Sequence, residues 1–447
     1  TATAKGESTS LWIWGGAYGL EVGDIVGDAS VSNNGDIDVE MSAVGTGKSV
    51  SGSAYGIIVK DVYGTLSNDG TIKVTSTVEG QGLGTAINPS GQIMAYSNVG
   101  IYGSNIMDGG SVSNNGDIVV DVSLIGESTS RISAFGNLGI YLSKINGTLS
   151  NDGTIDLTVK VMGSGAALVR ASNWGITGSV VGVDGSVSND GSIVVTTTVD
   201  GNASKGSIEL SSYGINLWNI GGTLSNDGSI AVTAEAMGSG MTGLNVYTYG
   251  IRVNDIAANA SVSNDGEITV TATADGTASS GAINVTANGM ASGAVSGALS
   301  NSGSIAVNAT AKGSGLNGVH ATARGIDIDA DLNPLASLSN DGSIVVTATA
   351  DGTATSGAIY ARAFGMEVMD VYGAVSNDGS IAVTATADGT ANSTTMYVNA
   401  FGMKVDAVYG AVSNDGSIAV TAKAMGSGES GLYAYAYGIW GENIAAN

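Results

Sequence analysis

Asparagine recurs along this chain at a nearly constant interval, inside near-copies of a nine-residue segment whose clearest instance is V-S-N-D-G-S-I-A-V at Val375 to Val383. Eleven copies place it at Asn33, Asn68, Asn114, Asn151, Asn189, Asn226, Asn264, Asn301, Asn340, Asn377 and Asn414, at spacings of 35, 46, 37, 38, 37, 38, 37, 39, 37 and 37 residues. A self-similar period of this length belongs to stacked supersecondary units, because one such unit cannot bury an apolar face alone. Within each copy the apolar residues lie two apart, as at Ile381 and Val383, which is a strand period, and Asn-Asp-Gly before them has the composition of a turn. Gly379 and its counterparts are expected to take a positive φ there, at little cost to glycine.

Parallel stacking of successive coils puts like residues over like, Ile on Ile and Asn on Asn. An inward asparagine can then hydrogen-bond its equivalents above and below, which removes the cost of burying an unpartnered amide. The expected fold is all-β, a parallel β-solenoid of about twelve ~37-residue repeats forming one continuous array over residues 1–447. Incomplete repeats are expected at both ends. Loop insertions are expected near residues 87–96 and 331–337, where Pro89 and Pro334 cannot donate to a strand ladder.

A second marker alternates with the first: a glycine followed by Ile, Met or Leu and often preceded by an aromatic ring. The rings are Tyr18, Tyr55, Trp174, Tyr213, Tyr249, Phe364, Phe401 and Tyr437, with Val99, Leu138, Asn288 and Arg324 as departures. Each unit therefore holds two strand systems, and the spacing is compatible with two small coils or one large flattened one. The residue two before the marker asparagine alternates Val and Leu from Val31 to Leu299, so the unit reads as duplicated in pairs. Segments of the M-G-S-G and D-G-T-A kinds, at Met237 and Asp275 for example, read as turns after the first strand.

Seventy glycines, two prolines and three phenylalanines describe thin strands around a narrow core of small side chains. The net charge of −24 makes nucleic acid and anionic membranes poor partners. No cysteine is present, so disulfides and thiolate metal sites are excluded, and no run reaches the roughly 18 apolar residues of a membrane span.

Candidate chemistry is sparse. His320 is the single histidine, which leaves a catalytic triad without material; it reads as an incidental side chain in an irregular turn. Arginines are scattered and the aspartates simply repeat, so a paired-carboxylate enzyme is not expected. The Asp column (Asp69, Asp152, Asp190, Asp227, Asp265, Asp341, Asp378, Asp415) offers carboxylates that could hold structural calcium between coils, against the competing reading of solvated turn residues. The aromatic column is read as a packing ladder in preference to a carbohydrate platform. Thr pairs such as Thr271 and Thr273 are similar to the flat arrays of ice-binding solenoids, but they skip units, and β-propensity accounts for them.

The alternation A-x-A-x-G-I followed by V-x-N-x-G-x-I-x-V, at Ala434 to Ile439 and Val412 to Val420, resembles the passenger repeats of bacterial autotransporters and related large surface adhesins. The resemblance covers essentially the whole chain. It implies an extracellular, non-catalytic, elongated solenoid at the cell surface, serving as stalk, adhesin body or fibre subunit. The expected partners are further copies, stacked end to end through open edges, and a host, matrix or neighbouring-cell surface. A carbohydrate-binding or polysaccharide-degrading β-helix and an ice or mineral binder are the alternatives.

Overall fold

The computed structural model describes residues 1–8, 12–82 and 91–444. Among them the regular elements are 35 β-strands arranged in three wholly parallel sheets. Sheet 1 has twelve strands, from Ala2–Ser8 to Ser417–Gly428; sheet 2 has twelve, from Trp12–Val22 to Leu432–Ile444. Sheet 3 has eleven strands of four residues, from Ser30–Asn33 to Ala411–Asn414. Every strand within a sheet pairs with its equivalents one unit earlier and later, and the end strands with one, so the chain winds as a β-solenoid of about twelve three-sided coils.

One unit of about 37 residues therefore makes one large coil, which decides between the two arrangements that spacing left open. The third side is the V-S-N segment itself. Together with the residue before it, it forms a four-residue strand, and the marker asparagine ends that strand just before the corner. Register follows identity: Ile155, Ile193, Ile230, Ile268, Ile305, Ile344, Ile381 and Ile418 lie over one another in sheet 1. In Ser229–Gly240 the residues Ile230, Val232, Ala234 and Ala236 are buried while those between them face outward, the alternation of a strand with one face on a core.

Sheet 2 breaks that alternation at one place. Gly214 and Ile215 are consecutive and both buried, and Tyr213 before them, on the outer side, is itself only 8% exposed, stacked between Trp174 and Tyr249. A Cβ on Gly214 would stand 2.3 Å from Ile230 Cγ2 and 2.6 Å from the Gly250 carbonyl oxygen. Glycine here lets an isoleucine of sheet 1 press onto the backbone of sheet 2, and it fixes the thinness of the core.

The marker asparagines form an unbroken internal ladder. Each Nδ2 donates to Oδ1 of the next coil in all ten steps from Asn33 to Asn414, at 2.6–2.8 Å. The nine interior members from Asn68 to Asn377 are fully buried. Main chain completes the corner: Asp378 and Gly379 N–H both donate to the Asn340 carbonyl, at 2.8 and 3.0 Å. The buried amides are thereby satisfied, as burial requires.

Two expectations about the glycine-containing segments need correction. Gly379 and its counterparts do not take the left-handed conformation; several glycines of the M-G-S-G and D-G-T-A segments do, with φ of 119° at Gly238 and 134° at Gly389. What demands glycine at 379 is close approach, since a Cβ there would lie 2.0 Å from the Gly342 carbonyl oxygen of the preceding coil. The M-G-S-G and D-G-T-A segments are not turns either. They continue the strands of sheet 1, as in Ser229–Gly240 and Glu267–Ala278, paired in register through the glycine.

The pairing of units has a structural counterpart at the corner between sheets 2 and 3. A longer corner with a turn, as at Ala257 to Ala260, alternates through most of the array with a two-residue one, as at Gly221 and Gly222. Pro334 sits in a longer corner beside Leu335, which is fully exposed with a φ of 74°. In the other insertion Gln92 to Tyr96 belong to the strand Gln92–Ile106, and Pro89 lies outside the described residues.

Gly35 and Gly379 occupy the same corner, yet a Cβ on Gly35 meets nothing within 4 Å because no coil lies below it. Gly379→Ala is expected to lower the denaturant midpoint strongly, by on the order of 2–4 kcal/mol of stability, and Gly35→Ala by under about 1 kcal/mol. Urea unfolding of the two variants checks this; equal effects would contradict the stacked corner.

Candidate functional site

The kink at the sheet 2 glycine brings two outward columns together along the rod. One is the residue just before the glycine; the other lies two residues after it. Together they line a shallow axial groove, as Trp174 and Tyr213 do opposite Asn216 and Arg252.

All eight aromatic residues expected to form a column stand in the first of these. Ring centroids are 5.6 Å apart for Tyr18–Tyr55, 5.8 Å for Trp174–Tyr213, 5.0 Å for Tyr213–Tyr249, 5.3 Å for Phe364–Phe401 and 5.1 Å for Phe401–Tyr437, all stacked. Where Val99 and Leu138 interrupt the column, Tyr102 and Tyr141 of the second column stack at 5.0 Å, and Tyr102 meets Tyr55 edge-on. Because the rings lie face to face along the axis, they cover one another's faces and present edges outward. This is the packing arrangement, and it leaves few ring faces free for a ligand.

The second interruption is different. At Asn288 and Arg324 no ring takes over, and charged groups from three coils gather instead. Arg324 Nε bonds Glu367 Oε2 and stands 3.6 Å from Asp327 Oδ1. Lys404 Nζ reaches Glu367 Oε1 at 2.9 Å and Asp406 Oδ1 at 3.0 Å. Burial pushes the Asp327 carboxyl up to about 7: Arg324 and Lys404 oppose the shift, whereas Glu367 and Asp329 add to it. Glu367 is held below its ordinary range because the two cations outweigh its burial. Arg324 lies over the Phe364 ring at 5.3 Å.

Scattered in sequence, these charges are therefore clustered in space, contrary to the expectation drawn from their spacing. The signal was the departure of Asn288 and Arg324 from the aromatic pattern; Glu367 and Lys404 carry no signal of their own, since the coil register alone brings them there. Chemically, Glu367 has both oxygens engaged by cations, while Asp327 is the weakly held carboxyl.

His320 is also displaced from its expected turn. It lies in the strand Gly318–Ile328, its Nδ1 2.9 Å from Asn284 Oδ1, at the end of an outward row continued by Tyr360 and Tyr397, whose rings stack at 5.3 Å. Burial, aided by Arg362, pushes its imidazole down and favours the neutral ring. A second internal amide ladder runs from Asn98 to Asn137 to Asn173 on sheet 2 and ends across the core on Thr197 of sheet 1, at 2.8–2.9 Å. Its sequence signal is an asparagine two residues before the glycine of the second marker.

The Asp column lies at the exposed corner between sheets 3 and 1. Asp69, Asp152, Asp190, Asp227, Asp265, Asp341, Asp378 and Asp415 are all exposed. Desolvation and the carboxyls of Asp190 and Asp265 above and below raise the Asp227 carboxyl. Among the described residues, no group of three or more His, Cys, Asp or Glu side chains is placed to hold a metal ion. Thr271 and Thr273 face outward on sheet 1, in register with Thr233 and Thr310 of the adjoining coils.

Stability that depends on a neutral Asp327 is fully present below the ordinary carboxylate range, near 4, and is lost as pH rises through about 7, because the folded state then gives up a proton it held more tightly than the unfolded chain does. Asp327→Asn is therefore expected to melt close to the parent at pH 5 and several degrees above it at pH 8. Calorimetric scans across that range check this; a constant difference between the two proteins would contradict it. Comparison with protein-family models, with curated proteins and with solved structures returned no match for the chain.

Proposed function

We propose that this chain is an extracellular structural protein, a rigid β-solenoid that serves at the cell surface as a stalk, adhesin body or self-assembling fibre subunit, with no catalytic role. One observation carries the reading: all ten steps of the internal asparagine ladder are made, and all three sheets continue from coil to coil along the described residues, with register shifts only at Gly52/Ala54 and Phe135/Asn137 of sheet 2. Such a stack transmits load along its axis, since separating two coils breaks three strand pairings and a buried amide bond together.

The sequence supports the same reading. Its resemblance to surface-adhesin repeats points to export and display, and the net charge of −24 keeps a long surface soluble. The terminal strands Ser417–Gly428 and Leu432–Ile444 pair on one side only, and their unpaired backbone groups can template another copy. A stalk or adhesin body would hold its tip against a host, matrix or neighbouring-cell surface.

Twelve coils at about 4.8 Å each give a rod of about 55 Å. Electron microscopy at rising protein concentration is expected to show rods lengthening in steps of that size at constant width, and pulling on the two ends is expected to unfold the rod cooperatively at high force. Short isolated rods at every concentration would remove the fibre subunit. Unravelling at low force would remove the load-bearing role altogether.

A further inference from the structure

The interruption of the aromatic ladder at Asn288 leaves three features side by side. Asn288 is 3% exposed, and its Nδ2 donates to Asp327 Oδ2 at 3.4 Å, but its Oδ1 has no hydrogen-bond partner. Tyr249 stacks on Tyr213 on one side, while its register partner on the other is Asn288 in place of a ring. The two residues share a cleft of about 370 Å³ with Arg324, Asp327 and Glu367.

We propose that this cleft binds a pyranose unit of a neutral glycan, seated on the side of the Tyr249 ring where Asn288 replaces a ring, with its hydroxyls bonding to the Asp327 carboxyl. A sugar ring supplies an apolar C–H face for the tyrosine and a fan of hydroxyls for a mixed set of donors and acceptors. A cationic ligand fits less well, because Arg324 and Lys404 already pair the carboxylates. Hydrolysis is not implied: Glu367, with both oxygens held, is not available as a nucleophile.

The test is a printed array of neutral gluco-, galacto- and manno-oligosaccharides, followed by NMR titration of the purified protein with the best binder. Saturable binding is expected with a dissociation constant on the order of 0.1–10 mM, as befits a single small subsite. Tyr249→Ala should weaken it at least about tenfold, and Tyr397→Ala, outside the cleft, should leave it within about twofold. Asn288→Tyr is the decisive variant, because it completes the ladder with a ring that neighbouring coils already accommodate. It should melt no lower than the parent and still lose binding. No binding up to about 20 mM, binding undiminished in Asn288→Tyr, or preferential capture of arginine methyl ester would each overturn the proposal. None of those results bears on the rod, which rests on the coil register.

Discussion

Backbone contact between successive coils is the constraint from which the rest follows. Parallel pairing holds coils about 4.8 Å apart along the axis, and at that distance only certain side chains can stand over themselves. Asparagine can, because its amide is both donor and acceptor; glycine must, wherever a carbonyl of the coil below points at its Cα. Isoleucine and valine can, by nesting their branched side chains in a column. The repeat is thus a list of residues that tolerate being stacked on copies of themselves, and the period is the perimeter of one coil.

That constraint acts unequally on the two faces of each strand. Inward positions in sheets 1 and 3 hold mostly Ile, Val, Leu, Ala and Asn, since a change in one coil is felt by the coils above and below. Outward positions are freer, and there the molecule differs from coil to coil: Tyr102 and Tyr141 take over from missing rings, Asp and Met exchange at 200 and 237, and charges collect at Arg324, Asp327, Glu367 and Lys404. A function that goes beyond holding a shape is written in those departures. The groove of sheet 2 is their natural place, because the glycine kink turns two outward columns toward each other.

Much of this was legible in the sequence because axial stacking converts spacing into contact. The asparagine interval alone specified the ladder and its inward direction, and the aromatic residues before the second glycine specified the stacked column. What was not legible depended on geometry across the coil. Both strand-turn-strand and turn-strand readings fit V-S-N-D-G-S-I-A-V, and only the closed third side shows that V-S-N is itself a strand. Gly379 could be assigned to a positive φ or to close approach by composition alone. Arg324 and Glu367 stand 43 residues apart, and their contact follows from a one-coil offset that no local pattern reveals.

The most direct measurement of axial stacking is NMR observation of the side-chain amides of the interior asparagines, Asn68 to Asn377. If each Nδ2 is locked between coils, these protons exchange with solvent orders of magnitude more slowly than those of an exposed asparagine such as Asn254, and couplings across the hydrogen bonds link each amide to the next. Fast exchange, with no coupling from one coil to the next, would contradict the stack and the rod built on it.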